Sequence, residues 1–240
     1  MKILEKIQYK QSHPTEGRPV TVVFLGDSVT QGCFDCYEVK RGTLETEFHP
    51  EWGYVEKFKT MLQKLYPSVP FAVINSGVSG SSARGGVYRL EESVLAYSPD
   101  LVVVCFGLND TNNGKGGIRD FQGYLTEIFR KVKASGAECI YMTPNTMNYE
   151  ISPRIANDTA RKLAADLKKR MTSGLMDEYV AAAKETASAE GVPVTDCYAI
   201  WQSLAESGVN VTDLLANKLN HPDKDMHFIF AYELIKTILA

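Results

Sequence analysis

The chain has 240 residues, 44% of them hydrophobic and 23% charged, with a formal net charge of −3, a balance that excludes a disordered or collagen-like protein. No Lys/Arg stripe is interleaved with aromatics, which argues against a nucleic-acid partner, and no apolar run reaches the roughly 20 residues that span a bilayer. Met1 to Gln11 lacks the apolar stretch and small-residue cleavage site of a secretory leader, so the chain as it stands reads as cytoplasmic and as a single domain over 1–240, with 1–18 as an N-terminal extension.

In chain order, Val20 to Leu25 is the first predicted strand, and it empties into Gly26-Asp27-Ser28. The stretch 32–52 is longer than an ordinary strand-to-helix connection and carries Phe34, Tyr37, Phe48, His49 and Trp52, so it is assigned as a long loop walling a substrate cleft. Gly53 to Tyr66 predicts a helix ended by Pro67, and Phe71 to Ile74 a second strand. Val87 to Tyr97 predicts a helix ended before Pro99, and Leu101 to Phe106 a third strand. Phe121 to Lys133 has apolar residues at helical spacing and stops at Ser135-Gly136. Cys139 to Thr143 is the fourth strand, Pro153 to Glu190 a long helical pattern broken near Ser173-Gly174, Val192 to Asp196 the fifth strand, and Met226 to Leu239 a final helix. Strands alternating with helices in this way give an α/β fold with a five-stranded parallel sheet, whose ligand crevice opens at the carboxyl ends of the strands.

Five cysteines, an odd number in a chain too large to need staples, argue against a disulfide framework. Cys33 and Cys36 form one C-x-x-C, but without a second pair or a histidine at ligand spacing it implies no metal site, and both are taken as ordinary loop cysteines.

Ser28 stands at the mouth of the first strand and is the candidate nucleophile; it needs a base and an oxyanion site. The second strand ends in Asn75-Ser76-Gly77-Val78-Ser79-Gly80 and the third in Gly107-Leu108-Asn109-Asp110. Gly80 can bring a bare backbone N–H to a ligand and Asn109 a side-chain amide; with the Ser28 N–H they make three oxyanion donors. Turn chemistry alone also accounts for a Gly and an Asn at such places. Four histidines are available. His13 has no supporting motif, His49 lies in the 32–52 stretch and lines the cleft together with Trp52, and His227 opens the last helix and reads as structural. His221, in Leu219-Asn220-His221-Pro222, can lean over the strand ends toward Ser28. Asp27 and Asp110 are read as loop braces at the cleft before anything catalytic, and Arg84 as a cleft arginine or a solvated one.

Gly26-Asp27-Ser28, the Gly80 turn, Gly107-Leu108-Asn109-Asp110 and a late His-Pro resemble the four blocks of the GDSL, or SGNH, hydrolases, in order and over nearly the whole chain. That resemblance implies a flavodoxin-like three-layer α/β/α sandwich, Ser28 as nucleophile, Gly80 and Asn109 as oxyanion donors and His221 as general base. It further implies hydrolysis of a small-molecule ester without metal or organic cofactor, by an esterase, lipase, thioesterase or carbohydrate deacetylase. The leading expectation is a serine esterase acting on small acyl esters, O-acetyl groups on carbohydrates among them. The alternatives are a lysophospholipase or thioesterase, a flavodoxin-like ligand-binding module, and a non-catalytic interaction domain.

One block departs from the family. An aspartate is expected three residues before the histidine, and Lys218 stands there. Three arrangements follow: a Ser28–His221 dyad whose imidazole is held by a backbone carbonyl, a substitute among Asn217, Asp213, Asp223 and Asp225, or a weak enzyme. A working enzyme with a modified third member is the favoured one.

Overall fold

The computed structural model describes residues 1–40 and 42–240. A helix, α1 (Lys2–Ser12), precedes strand β1 (Val20–Gly26), which runs straight into the one-turn helix α2 (Ser28–Gln31). The hairpin β2 (Cys33–Lys40) and β3 (Thr43–Phe48) follows, then α3 (Tyr54–Leu65), β4 (Phe71–Gly77), α4 (Ala83–Ser93), β5 (Leu101–Cys105) and α5 (Ile118–Ala134). Strand β6 (Glu138–Met142), helices α6 (Asp158–Thr172) and α7 (Leu175–Ala189), the short β7 (Val194–Thr195), α8 (Cys197–Glu206) and α9 (His227–Leu239) complete the described strands and α-helices.

The five expected strands all form and pair in the order β4-β1-β5-β6-β7, every pair parallel. Strand order therefore reverses at β1, which puts the crevice at the carboxyl ends of β1 and its neighbours. Strands β1 and β5 are buried along their whole length, as strands covered on both faces must be. Their side chains alternate between two layers. Val22, Phe24, Val103 and Cys105 join a core with α1, α3 and α9, while Val23, Leu25, Val102 and Val104 join one with α4, α5 and α7. This is a three-layer α/β/α sandwich.

Two expectations are corrected. Residues 32–52 are not a long loop, because 33–40 and 43–48 pair antiparallel. Of β2, only Cys33 and Phe34 are buried, so the hairpin lacks the one-sided apolar alternation that marks a strand in sequence. Cys33 and Cys36 are accordingly strand residues, and burial pushes both thiols up to about 11. Helix α4 begins at Ala83, four residues before the expected Val87. Gly85-Gly86 reads as a breaker, yet Gly86 is where the helix presses on the sheet layer: a Cβ there would sit 2.7 Å from the Phe106 ring. Two helices carry no clear sequence signal, α1 and α8. Ile3 and Ile7 of α1 are core residues, and its first amides, Lys2 N–H and Ile3 N–H, are capped by the Glu138 carboxylate at 3.0 and 2.7 Å. No described helix is long and apolar enough to cross a membrane.

Candidate active site

Gly26 is dictated by space, since a Cβ on it would lie 1.9 Å from Thr30 Oγ1 and 2.8 Å from the Cys105 carbonyl. The next residue, Asp27, caps α2: its Oδ1 accepts the Val29 N–H at 3.0 Å, as an N-cap carboxylate does. Ser28 is thereby set on the first turn of a helix, nearly buried at 4% exposure. Its Oγ lies 2.9 Å from His221 Nε2.

His221 is itself 5% exposed, and its Nδ1 lies 3.0 Å from the Phe34 carbonyl oxygen. A carbonyl only accepts, so Nδ1 carries the ring proton and Nε2 presents its lone pair to the Ser28 hydroxyl. Burial drives the imidazole down to about 4, opposed by the Phe34 carbonyl and the charge of Asp35. The ring is neutral at pH 7, the state a general base requires.

None of the four expected substitutes reaches the imidazole. Asn217 Oδ1 instead accepts three backbone N–H groups, from Leu219, Asn220 and His221, at 2.9 to 3.0 Å. It shapes the turn that delivers His221, and Lys218 occupies the left-handed region within that turn at φ +58°. Asp213 bonds Asn210. Asp223 accepts the Asp225 and Met226 N–H groups ahead of α9, and Asp225 faces the charge of Lys57. The residue on Nδ1 is Phe34, part of the hairpin read from sequence as a loop.

Beyond Ser28, Gly80 adopts φ +74°, a left-handed conformation that favours glycine. Among the described residues, neither its N–H nor that of Ser28 has a hydrogen-bond acceptor. Asn109 Nδ2 donates one hydrogen to the Ser81 carbonyl at 3.0 Å, which locks the amide beside the Gly80 turn and leaves its second hydrogen. Asp110 braces this side from below, accepting the Ala83 and Gly107 N–H groups at 2.9 and 3.1 Å. Burial pushes its carboxyl up to about 6. Burial likewise pushes Asp27 up to about 7, opposed by the Val29 N–H and reinforced by Asp110, and one Asp27 oxygen has no partner. Both aspartates hold backbone.

Of the other cleft candidates, His49 stacks on Trp52 with centroids 3.7 Å apart, and Trp52 meets the Phe34 ring edge-on at 5.6 Å. They support the hairpin base from outside. Arg84 is exposed on α4 and bonds the Tyr88 hydroxyl at 3.2 Å. Sequence reasoning passed over three residues that tie the turns together. Gln31 Oε1 accepts the Ser79 N–H at 2.6 Å, Asn75 Nδ2 donates to the Thr30 carbonyl at 2.8 Å, and Arg89 donates to the Gly26 and Ser76 carbonyls. Only Asn75, in an Asn-x-Gly turn, carried a local signal. His227 accepts the Tyr54 N–H at 3.0 Å and stacks on that ring. Burial drives it down to about 3, so it serves as a neutral ring beneath the site.

The model of the GDSL-like lipase/acylhydrolase family matches residues 24–228. An acetylxylan esterase of Geobacillus stearothermophilus is 36% identical over 95 residues, 37% of this chain and 39% of that protein. An arylesterase of Vibrio mimicus is 31% identical over 99 residues, 35% of this chain and 46% of that protein. The matched segments thus span less than half of these curated relatives. In structure, an acetylxylan esterase from Geobacillus stearothermophilus superposes with a TM-score of 0.67 at 22% identity, covering 92% of this chain and 95% of that one.

Proposed function

Because the chain belongs to the GDSL-like lipase/acylhydrolase family, a family of ester hydrolases, we propose that it hydrolyses small carboxylic esters, O-acetyl groups on carbohydrates foremost, through a Ser28 acyl-enzyme. The observation that carries this reading is the relay of Ser28 Oγ, His221 Nε2, His221 Nδ1 and Phe34 carbonyl at 2.9 and 3.0 Å. Ser28 Oγ attacks the ester carbon while Nε2 takes its proton. The carbonyl oxygen becomes an oxyanion held by the Ser28 and Gly80 N–H groups and Asn109 Nδ2. Collapse expels the alcohol, which leaves with the proton from Nε2; a water then repeats the attack with His221 as base and releases the acid and free Ser28.

A carbonyl in place of a carboxylate has a calculable cost. In a serine-protease triad the Asp-to-Asn change lowers kcat by about 10⁴, partly through the wrong tautomer. Here the carbonyl enforces the right tautomer, so only the charge on the third member is lost. The acetyl preference is supported by the similarity to an acetylxylan esterase.

A fluorophosphonate probe tests the reading. Wild-type protein becomes labelled, whereas Ser28→Ala does not and His221→Ala labels about 10³-fold more slowly. An unlabelled wild type, still folded, makes this a ligand-binding or interaction domain.

A further inference from the structure

A cleft of about 410 Å³ opens between the first turns of α4 and α5, bordered by Ser82, Arg84, Asn113, Asp120 and Tyr124 over a floor of Asp110 and Phe121. Its size falls within the ~300–1,000 Å³ of small-ligand sites. It adjoins two of the oxyanion candidates along the chain: Ser82 lies two residues past Gly80 and follows the Ser81 carbonyl that Asn109 holds, and Asp110 follows Asn109. Helices α4 and α5 cover the sheet face opposite α3 and α9.

The polar groups of this cleft are of two kinds. Both Asp110 oxygens are already used by backbone N–H groups. Arg84 and Asp120, by contrast, border one cavity with opposite charges and form no ion pair with each other or with any other described residue. Arg84 bonds only a neutral hydroxyl, that of Tyr88. A guanidinium has donors alone and a carboxylate acceptors alone. Two hydroxyls of one ring satisfy both at once, one accepting from Arg84 and the other donating to Asp120. A uronate or phosphate would meet the Asp120 charge, and an acyl chain would offer a hydrogen-bond partner to neither group.

We propose that this cleft is a saccharide subsite, in which Arg84 and Asp120 grip the hydroxyls of a neutral sugar ring attached to the acetylated one, with Tyr124 beside it. The assignment rests on the carbohydrate-ester reading above. It makes Arg84 and Asp120 specificity-determining residues, without contact to the reacting atoms.

The test compares acetylated xylooligosaccharide with a small aryl acetate. In Arg84→Ala and in Asp120→Asn, the ratio of kcat/KM for the saccharide to kcat/KM for the aryl acetate falls about tenfold, through KM rather than kcat, as the loss of a charge-assisted hydrogen bond entails. A ratio unchanged in both variants overturns the subsite. Failure of the parent reading looks different: the wild type cleaves aryl acetate but no acetylated saccharide. Unacetylated xylooligosaccharide titrated into Ser28→Ala then decides the subsite alone. Saturable binding weakened by Arg84→Ala upholds it, and no binding overturns it.

Discussion

The two sides of the candidate site differ in how far along the chain their hydrogen bonds reach. On the oxyanion side the governing hydrogen bonds include several between near neighbours in the chain: Asp27 to Val29, Asp110 to Gly107, Asn75 to Gly77. On the base side, His221 reaches Ser28 across 193 residues and Phe34 across 187. The oxyanion turns combine local braces with bonds between turns, such as Asn109 to Ser81 and Gln31 to Ser79, whereas His221 is oriented only when the hairpin and the His221 turn have docked. Damage to the base side should therefore cost rate while leaving the nucleophile turn intact.

Gly32→Ala makes the largest break in that comparison. Gly32 has φ +96° and a Cβ there would lie 2.7 Å from Pro50 Cα, so the hairpin must move and take the Phe34 carbonyl with it, and because the Gly32 N–H caps α2 on the Ser28 carbonyl the end of α2 shifts too. We expect kcat to fall about 10²-fold, the scale of an ångström-level misplacement, with circular dichroism and slow fluorophosphonate labelling still reporting a folded protein. A kcat within twofold of wild type would remove the carbonyl from the mechanism.

The pH profile separates the two sides. Only neutral His221 can accept the Ser28 proton, and its pKa is lowered to about 4. kcat/KM should hold level on acidification past the ordinary histidine value of about 6.5 and fall tenfold per unit only below about 4. The oxyanion side acts at the other limb. Asp27, raised to about 7, is protonated below that pH and becomes a buried anion one residue before Ser28 above it. Activity should decline as pH rises through 7, and Asp27→Asn, which keeps a capping oxygen, should abolish that limb alone.

The smallest effects belong to the acids off the imidazole. Asp213→Ala and Asp225→Ala should leave kcat within about twofold, as surface changes away from the site do. Asp223→Ala should lower stability by about 1 kcal/mol through the lost brace ahead of α9, readable as a lower Tm at unchanged kcat. A tenfold loss of kcat in any of the three would identify that acid as the third member.

Much of this protein was legible before its structure. Strands such as Leu101–Cys105, buried on both faces, are continuous apolar runs, and they announce a parallel sheet. Gly80 and Asn109 were found because each lies in the turn just beyond a predicted strand. The hairpin was not legible, because β2 and β3 satisfy their backbone by pairing with each other and bury little. Gln31 and Arg89 escaped for a related reason: a long polar side chain on a short helix or helix flank carries no mark of the carbonyl or amide it will meet in another turn.

The sequence by itself determined the alternation of strands and helices, the parallel sheet and the Gly26-Asp27-Ser28 turn, since periodicity and turn chemistry act over a few residues, and its family resemblance singled out His221. What only the tertiary structure decided is which atom holds the imidazole. Lys218 showed that an aspartate was missing. The replacement is a backbone carbonyl, a group every residue carries and no sequence pattern distinguishes, and Phe34 supplies it because its hairpin folds against His221.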